Sequence, residues 1–161
     1  MTGSREPDWS ACHAKPDAMT WHDHLIARLK EIRPDSVCAL DAAACQLARD
    51  ILPDTTVVIP GHSPAQACML ALGIDALNGL DAQQAQHLIN HVRLYLSPRL
   101  LLVAQETCAL DESSFRALGF TLSLNDPADR TRVYHYDLNV YKTVPDWLNS
   151  RFWAHPERWK P

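Results

Sequence analysis

The sequence predicts an α/β domain: a mostly parallel sheet of about six strands with an antiparallel pair at one edge. Three observations predict it. Residues 37–40 and 100–104 are short, continuous apolar runs, as expected of strands buried on both faces. Capped amphipathic stretches alternate with such runs along most of the chain. The last two strand-like runs, residues 120–124 and 132–138, follow each other with only a turn between them. A chain of 161 residues is long enough for one domain with a sizeable core.

Taken in order, Thr20-Trp21-His22-Asp23 is a capping-box variant, and Leu25, Ile26, Leu29 and Ile32 follow at helical spacing until Pro34. Ser36 to Leu40 is the first strand, and Asp41 caps a second helix running to about Leu52. Thr55-Thr56-Val57-Val58-Ile59 is almost entirely β-branched and reads as the clearest strand. Ser63 before Pro64 predicts an N-cap and first helical residue, with Gly73 as that helix's stop. Residues 74–77 then predict a short strand. Asp81 opens a long helix whose core face is Ala85, Leu88, Val92 and Leu96, closed by Pro98. A strand at 100–104, a short helix capped by Asp111 and stopped by Gly119, and two strands around Asn125-Asp126-Pro127 complete the domain.

Residues 1–19 read as a loose arm, 20–140 as the α/β body and 141–161 as an aromatic tail packed on it. The formal charge of −4 and the lack of a Lys/Arg block argue against a nucleic-acid surface. No stretch has the apolar length to span a membrane, and the N-terminus lacks the basic-then-apolar order of a signal peptide. Five cysteines make an odd number without any C-x-x-C, the usage of a reducing, cytoplasmic compartment.

Gly73-Ile74-Asp75-Ala76-Leu77-Asn78-Gly79-Leu80, the following helix and Ser97-Pro98-Arg99-Leu100-Leu101-Leu102-Val103 resemble the second half of a class I S-adenosylmethionine-dependent methyltransferase, a Rossmann-like fold. Ala117-Leu118-Gly119-Phe120 resembles that family's entry into its last two strands. The C-terminal run from Pro145 to Trp159 (PDWLNSRFWAHPERW) is similar to an uncharacterised bacterial family with a methyltransferase-like body. The resemblance implies seven strands, of which this chain supplies six. The first strand lies inside that sheet and the third at an edge, so loss of the third breaks fewer ladders. Residues 37–40 are therefore expected inside the sheet and residues 55–59 at its edge.

The resemblance also implies a Gly-rich turn after the first strand, where the backbone approaches the cofactor, and an acid after the second strand for the ribose. This chain has Asp41-Ala42-Ala43-Ala44-Cys45 at the first position and Pro60-Gly61-His62-Ser63 at the second. Its five glycines, Gly3, Gly61, Gly73, Gly79 and Gly119, form no such motif, and alanine β-carbons obstruct close approach. Asn78-Gly79 departs from the acidic pattern expected after the fourth strand. The candidate cofactor residues are Asp41, His62 and Asn78, and the candidate ligand rim is Ser63, Gln105 and Glu106, since open α/β sheets bind at the carboxyl ends of their strands. No cofactor is expected, or S-adenosylmethionine if the chain is a diverged enzyme; no catalytic residue is assigned.

Other motifs have plainer readings. Gly61-His62-Ser63-Pro64-Ala65 resembles a hydrolase nucleophile elbow, but Pro64 lacks the N–H that the oxyanion hole requires. His87 and His91 are four apart on a helix, without H-E-x-x-H or a third ligand, and read as a solvated flank; no metal site is expected. Cys108 has no adjacent base and reads as an inert loop thiol. Trp147, Phe152, Trp153 and Trp159 could stack bases, but a net negative chain favours their packing on the body. The expected function is a methyltransferase-like binding or interaction module for an unknown protein or small molecule, with a diverged methyltransferase of unknown substrate as the alternative.

Overall fold

A computed structural model of the chain describes residues 18–61 and 66–141. The expected cap at Ser63, His62, the body of the N-terminal arm and the aromatic tail lie outside these residues. The elements are α1 (Trp21–Ile32), β1 (Ser36–Ala39), α2 (Ala42–Ile51), β2 (Thr56–Val58), β3 (Leu70–Gly73), α3 (Ala82–His91), a π-helical turn (Val92–Leu96), β4 (Arg99–Gln105), α4 (Glu112–Ala117), β5 (Thr121–Asp126), β6 (Thr131–Asp137) and α5 (Leu138–Tyr141).

The strands form one sheet in the order β2-β1-β3-β4-β6-β5. β2, β1, β3 and β4 run parallel, while β6 is antiparallel to both β4 and β5. β1 has a neighbour on each side and β2 lies at the edge, as the strand-loss argument requires. Four helix starts follow the sequence signals. Thr20, Asp41, Asp81 and Asp111 accept from the N–H three residues on, and Asp81 with Gln84 completes a capping box.

The chain between β2 and α3 departs from expectation. Residues 70–73 are strand β3, not the end of a helix stopped by Gly73, and residues 74–79 are bends and turns rather than a strand. β3 is buried at every position, and a strand covered on both faces leaves an unbroken apolar run that periodicity cannot tell from a buried helix. Gly73 is required by packing: a Cβ there would lie 2.9 Å from Leu102 Cδ2 and 3.1 Å from Ala76 Cβ. The long helix expected to reach Leu96 is α-helical only to His91. Its π turn ends with Ser97 N–H donating to Val92 O at 2.9 Å, keeping Val92 and Leu96 buried while Leu94 and Tyr95 face outward.

Helices cover both faces of the sheet. Leu25 and Leu29 of α1 and Ala44, Leu47 and Ala48 of α2 pack with Val37, Leu70, Leu72, Leu101, Val103 and Val133. On the other face Ala85, Ile89, Val92 and Phe115 pack with Cys38, Ala71, Leu100, Leu102, Tyr134 and Tyr136. From Leu100 to Ala104, β4 alternates between these two cores residue by residue, which is why that run is apolar without a break. Phe115 stacks flat on Tyr134, with centroids 3.9 Å apart and rings 9° from parallel, and meets Phe120 edge-on. Buried Cys38 has its thiol pushed up to about 11 by desolvation and the adjacent Cys68, as expected for a thiol serving as a small hydrophobe.

Candidate functional site

The strand order reverses between β1 and β3, because the chain leaves β1 for β2 on one side and returns to place β3 on the other. Ligand crevices of open α/β sheets form at this switch point. Only Leu40 and Asp41 separate the end of β1 from the first residue of α2. Asp41 Oδ1 accepts from Ala44 N–H at 2.8 Å and caps α2. Its Oδ2 accepts from the N–H groups of Ile74 and Asp75, at 2.8 and 3.0 Å, in the loop leaving β3. One carboxylate thus caps a helix and bridges the two strand ends that frame the crevice. Ala44 beneath it is fully buried.

The open space on this end of the sheet lies further along, over β4, β6 and β5. A cleft of ≈ 510 Å³ is lined by Gln105, Glu106, Cys108, Asp111, Arg130, Arg132 and Tyr134, among others. A smaller one of ≈ 300 Å³ has Trp21, Asp75, Thr107 and Asp129 on its walls and shares Gln105, Glu106 and Arg130 with the first. Trp21 is held at this edge by its N–H on Asp126 Oδ2, at 3.0 Å, and by its indole N–H on Asp129. Asp111 caps α4 through Ser114 N–H, at 2.8 Å, and also accepts from the Ser114 hydroxyl, at 2.6 Å; these bonds hold its carboxyl below the usual range. Glu106 faces Arg130 at 3.4 Å, both largely exposed.

Of the residues singled out in the sequence, Gln105 and Glu106 reach a common cleft. Asp41 stands apart at the switch point. Asn78 is exposed and serves the turn after β3, its side-chain amide donating to Asp75 Oδ1 at 3.0 Å. The corrected end of β3 at Gly73 puts Asp75, not Asn78, two residues past the strand, so an acid does follow it closely. Asp75, Arg130, Arg132 and Tyr134 were missed. A correct end for β3 would have marked Asp75; no local signal marked the others, because strand pairing brings them to the cleft. His87 and His91 are both exposed, and the described residues contain no group of three or more His, Cys, Asp or Glu able to hold a metal.

Where α1 packs on β5 and β6 it brings two further histidines to the seam, His24 on α1 and His135 on β6. His24 Nε2 lies 2.7 Å from Ser123 Oγ. His135 Nε2 is buried without a hydrogen-bond partner. Burial first, and Arg28 second, hold the imidazoles of both His24 and His135 below their ordinary value.

The family model described as "Family of unknown function (DUF6231)" matches residues 19–161. The chain belongs to that family. The described residues place the first strand inside the sheet, β2 at one edge and an antiparallel pair at the far side. No curated protein matches the sequence. Among solved structures, an rRNA methylase from Escherichia coli is similar at 16% identity and a TM-score of 0.42, over 69% of this chain and 63% of that one. The 16S rRNA methyltransferase RmtF, in complex with S-adenosyl-L-homocysteine, is similar at 12% identity and a TM-score of 0.44, over 71% of this chain and 61% of that one. The match therefore spans less than two thirds of either methylase. No helix among the described residues is long and apolar enough to cross a membrane.

Proposed function

We propose that this protein is a methyltransferase-like binding module that does not hold S-adenosylmethionine in the manner its resemblance implies. One observation carries the reading: the Asp41 carboxylate spends both oxygens on three backbone N–H groups across the β1–β3 crevice. Such charge-assisted bonds are short and strong, and a cofactor entering between these strand ends must break them. Ala42 to Ala44 begin the helix at once, leaving no glycine turn over which the methionine moiety of a cofactor could lie. The binding surface in this reading is the pair of clefts over β4, β6 and β5, with Gln105 and Glu106 on the shared wall.

A diverged S-adenosylmethionine-dependent methyltransferase is the second reading, favoured by Asp75. That exposed acid begins the loop after β3 and lines the smaller cleft beside Trp21. Calorimetric titration of the full chain with S-adenosylmethionine and its demethylated product separates the two. The module reading expects no saturation at micromolar concentrations. Micromolar affinity, equivalent to about 8 kcal/mol, overturns it in favour of the enzyme.

A further inference from the structure

We propose that the larger cleft is a site for a small-molecule oxyanion, a carboxylate or phosphate on a compact organic body, anchored by Arg132. The sheet register builds it. Arg132 on β6 is paired with Ala104 of β4 on one side and Asn125 of β5 on the other. Arg132, Tyr134 and Tyr136 alternate along β6 and so address the same face. Phe115 covers Tyr134, and Phe120 contacts Tyr136. The short helix α4 begins only at Glu112, so the end of the row at Arg132 stays open, and Ala104 beside it is too small to fill the space. The result is the ≈ 510 Å³ cleft, with Leu110 and Pro127 as apolar wall.

The charges in the cleft are not mutually satisfied. The Asp111 carboxylate is engaged in capping α4. Glu106 faces Arg130 across exposed surface, an arrangement worth little in solvent. Arg132 forms no ion pair with any carboxylate of the described residues; its guanidinium lies beside the Tyr134 phenol. A planar guanidinium matches carboxylate and phosphate with two parallel N–H bonds. Arg130 can turn from Glu106 to supply a second arm, and the amides of Gln105 and Asn125 add donors. The lining is mainly polar and charged, with Ala104, Leu110 and Pro127 as its apolar part, which suits a small anionic ligand held by convergent donors.

This inference deepens the binding-module reading, and its test is separate from the cofactor titration. The full chain is titrated with inorganic phosphate and, independently, with benzoate, followed by calorimetry and by amide chemical shifts. The expected result is saturable binding of at least one anion at about 10 mM or tighter, with shifts confined to residues around the cleft. Arg132→Gln should weaken it about tenfold or more, while Arg49→Gln on α2 leaves it unchanged. Arg132 is exposed, so both variants should keep the parent melting temperature, and phosphate against benzoate tells which oxyanion is preferred. Absence of saturable binding of either anion, or equal binding in Arg132→Gln, overturns the proposal. Tight S-adenosylmethionine binding with the oxyanion result intact would remove the silent-cofactor reading and leave this site standing.

Discussion

Removing the Asp41 carboxylate is the sharpest test of the closed crevice. Asp41→Ala deletes an N-cap, typically about 1 kcal/mol, and two further bonds from Ile74 and Asp75 to a charged acceptor. Those bonds contribute on the order of 1.5–3 kcal/mol together once partial exposure of the site is allowed for. The sum, roughly 2.5–4 kcal/mol, corresponds to a fall in melting temperature of about 5–16 °C for a domain of this size, using 2–4 °C per kcal/mol. Asp41→Ser keeps a capping oxygen on Ala44 but cannot reach across to β3. The serine variant should lose only the bridging part, so the difference between the two isolates the cap. Urea and thermal unfolding of parent, alanine and serine forms measure all three quantities. An alanine variant within about 1 kcal/mol of the parent would refute the bridge and reopen the crevice for a ligand. The same variants should show faster amide exchange at Ile74 and Asp75 if the carboxylate is what protects those N–H groups.

Gly73→Ala should destabilise by about 1–3 kcal/mol through overpacking, because the added Cβ meets Leu102 at 2.9 Å and Ala76 at 3.1 Å; a neutral effect in a urea melt would show that β3 has room to shift. The depressed value of His135 makes stability depend on pH. Above about pH 6.5 the imidazole is neutral in both folded and unfolded chains, and its titration adds no pH dependence. As pH falls below that, the unfolded chain takes the proton more readily, so stability drops until the folded-state value is passed. His135→Gln should therefore lose less stability than the parent between pH 7.5 and 5.5, and parallel losses would refute the assignment.

Several features were legible in the sequence because their causes are local. Thr20, Asp41, Asp81 and Asp111 announced their helices, since an N-cap needs only a side-chain oxygen and an N–H three residues on. β-Branched Thr55 to Ile59 marked β2, and Asp41 marked the helix that follows β1. The interior place of β1 and the edge place of β2 followed from counting which lost strand disrupts fewer ladders. What the sequence could not distinguish was the run at 70–73, because burial on both faces erases the alternation that separates strand from helix.

Only the tertiary structure shows where the second oxygen of Asp41 goes. The sequence offered it equally as a helix cap and as a cofactor ligand, and its second oxygen is committed by Ile74 and Asp75, more than thirty residues away. The same holds for the cleft. Arg132, Asn125 and Ala104 are neighbours only through the register of three strands. Local patterns determine where helices and strands begin, because capping and side-chain alternation act over a few residues. Which polar groups meet at the ends of those strands is set by pairing and strand order, and those are properties of the folded sheet as a whole.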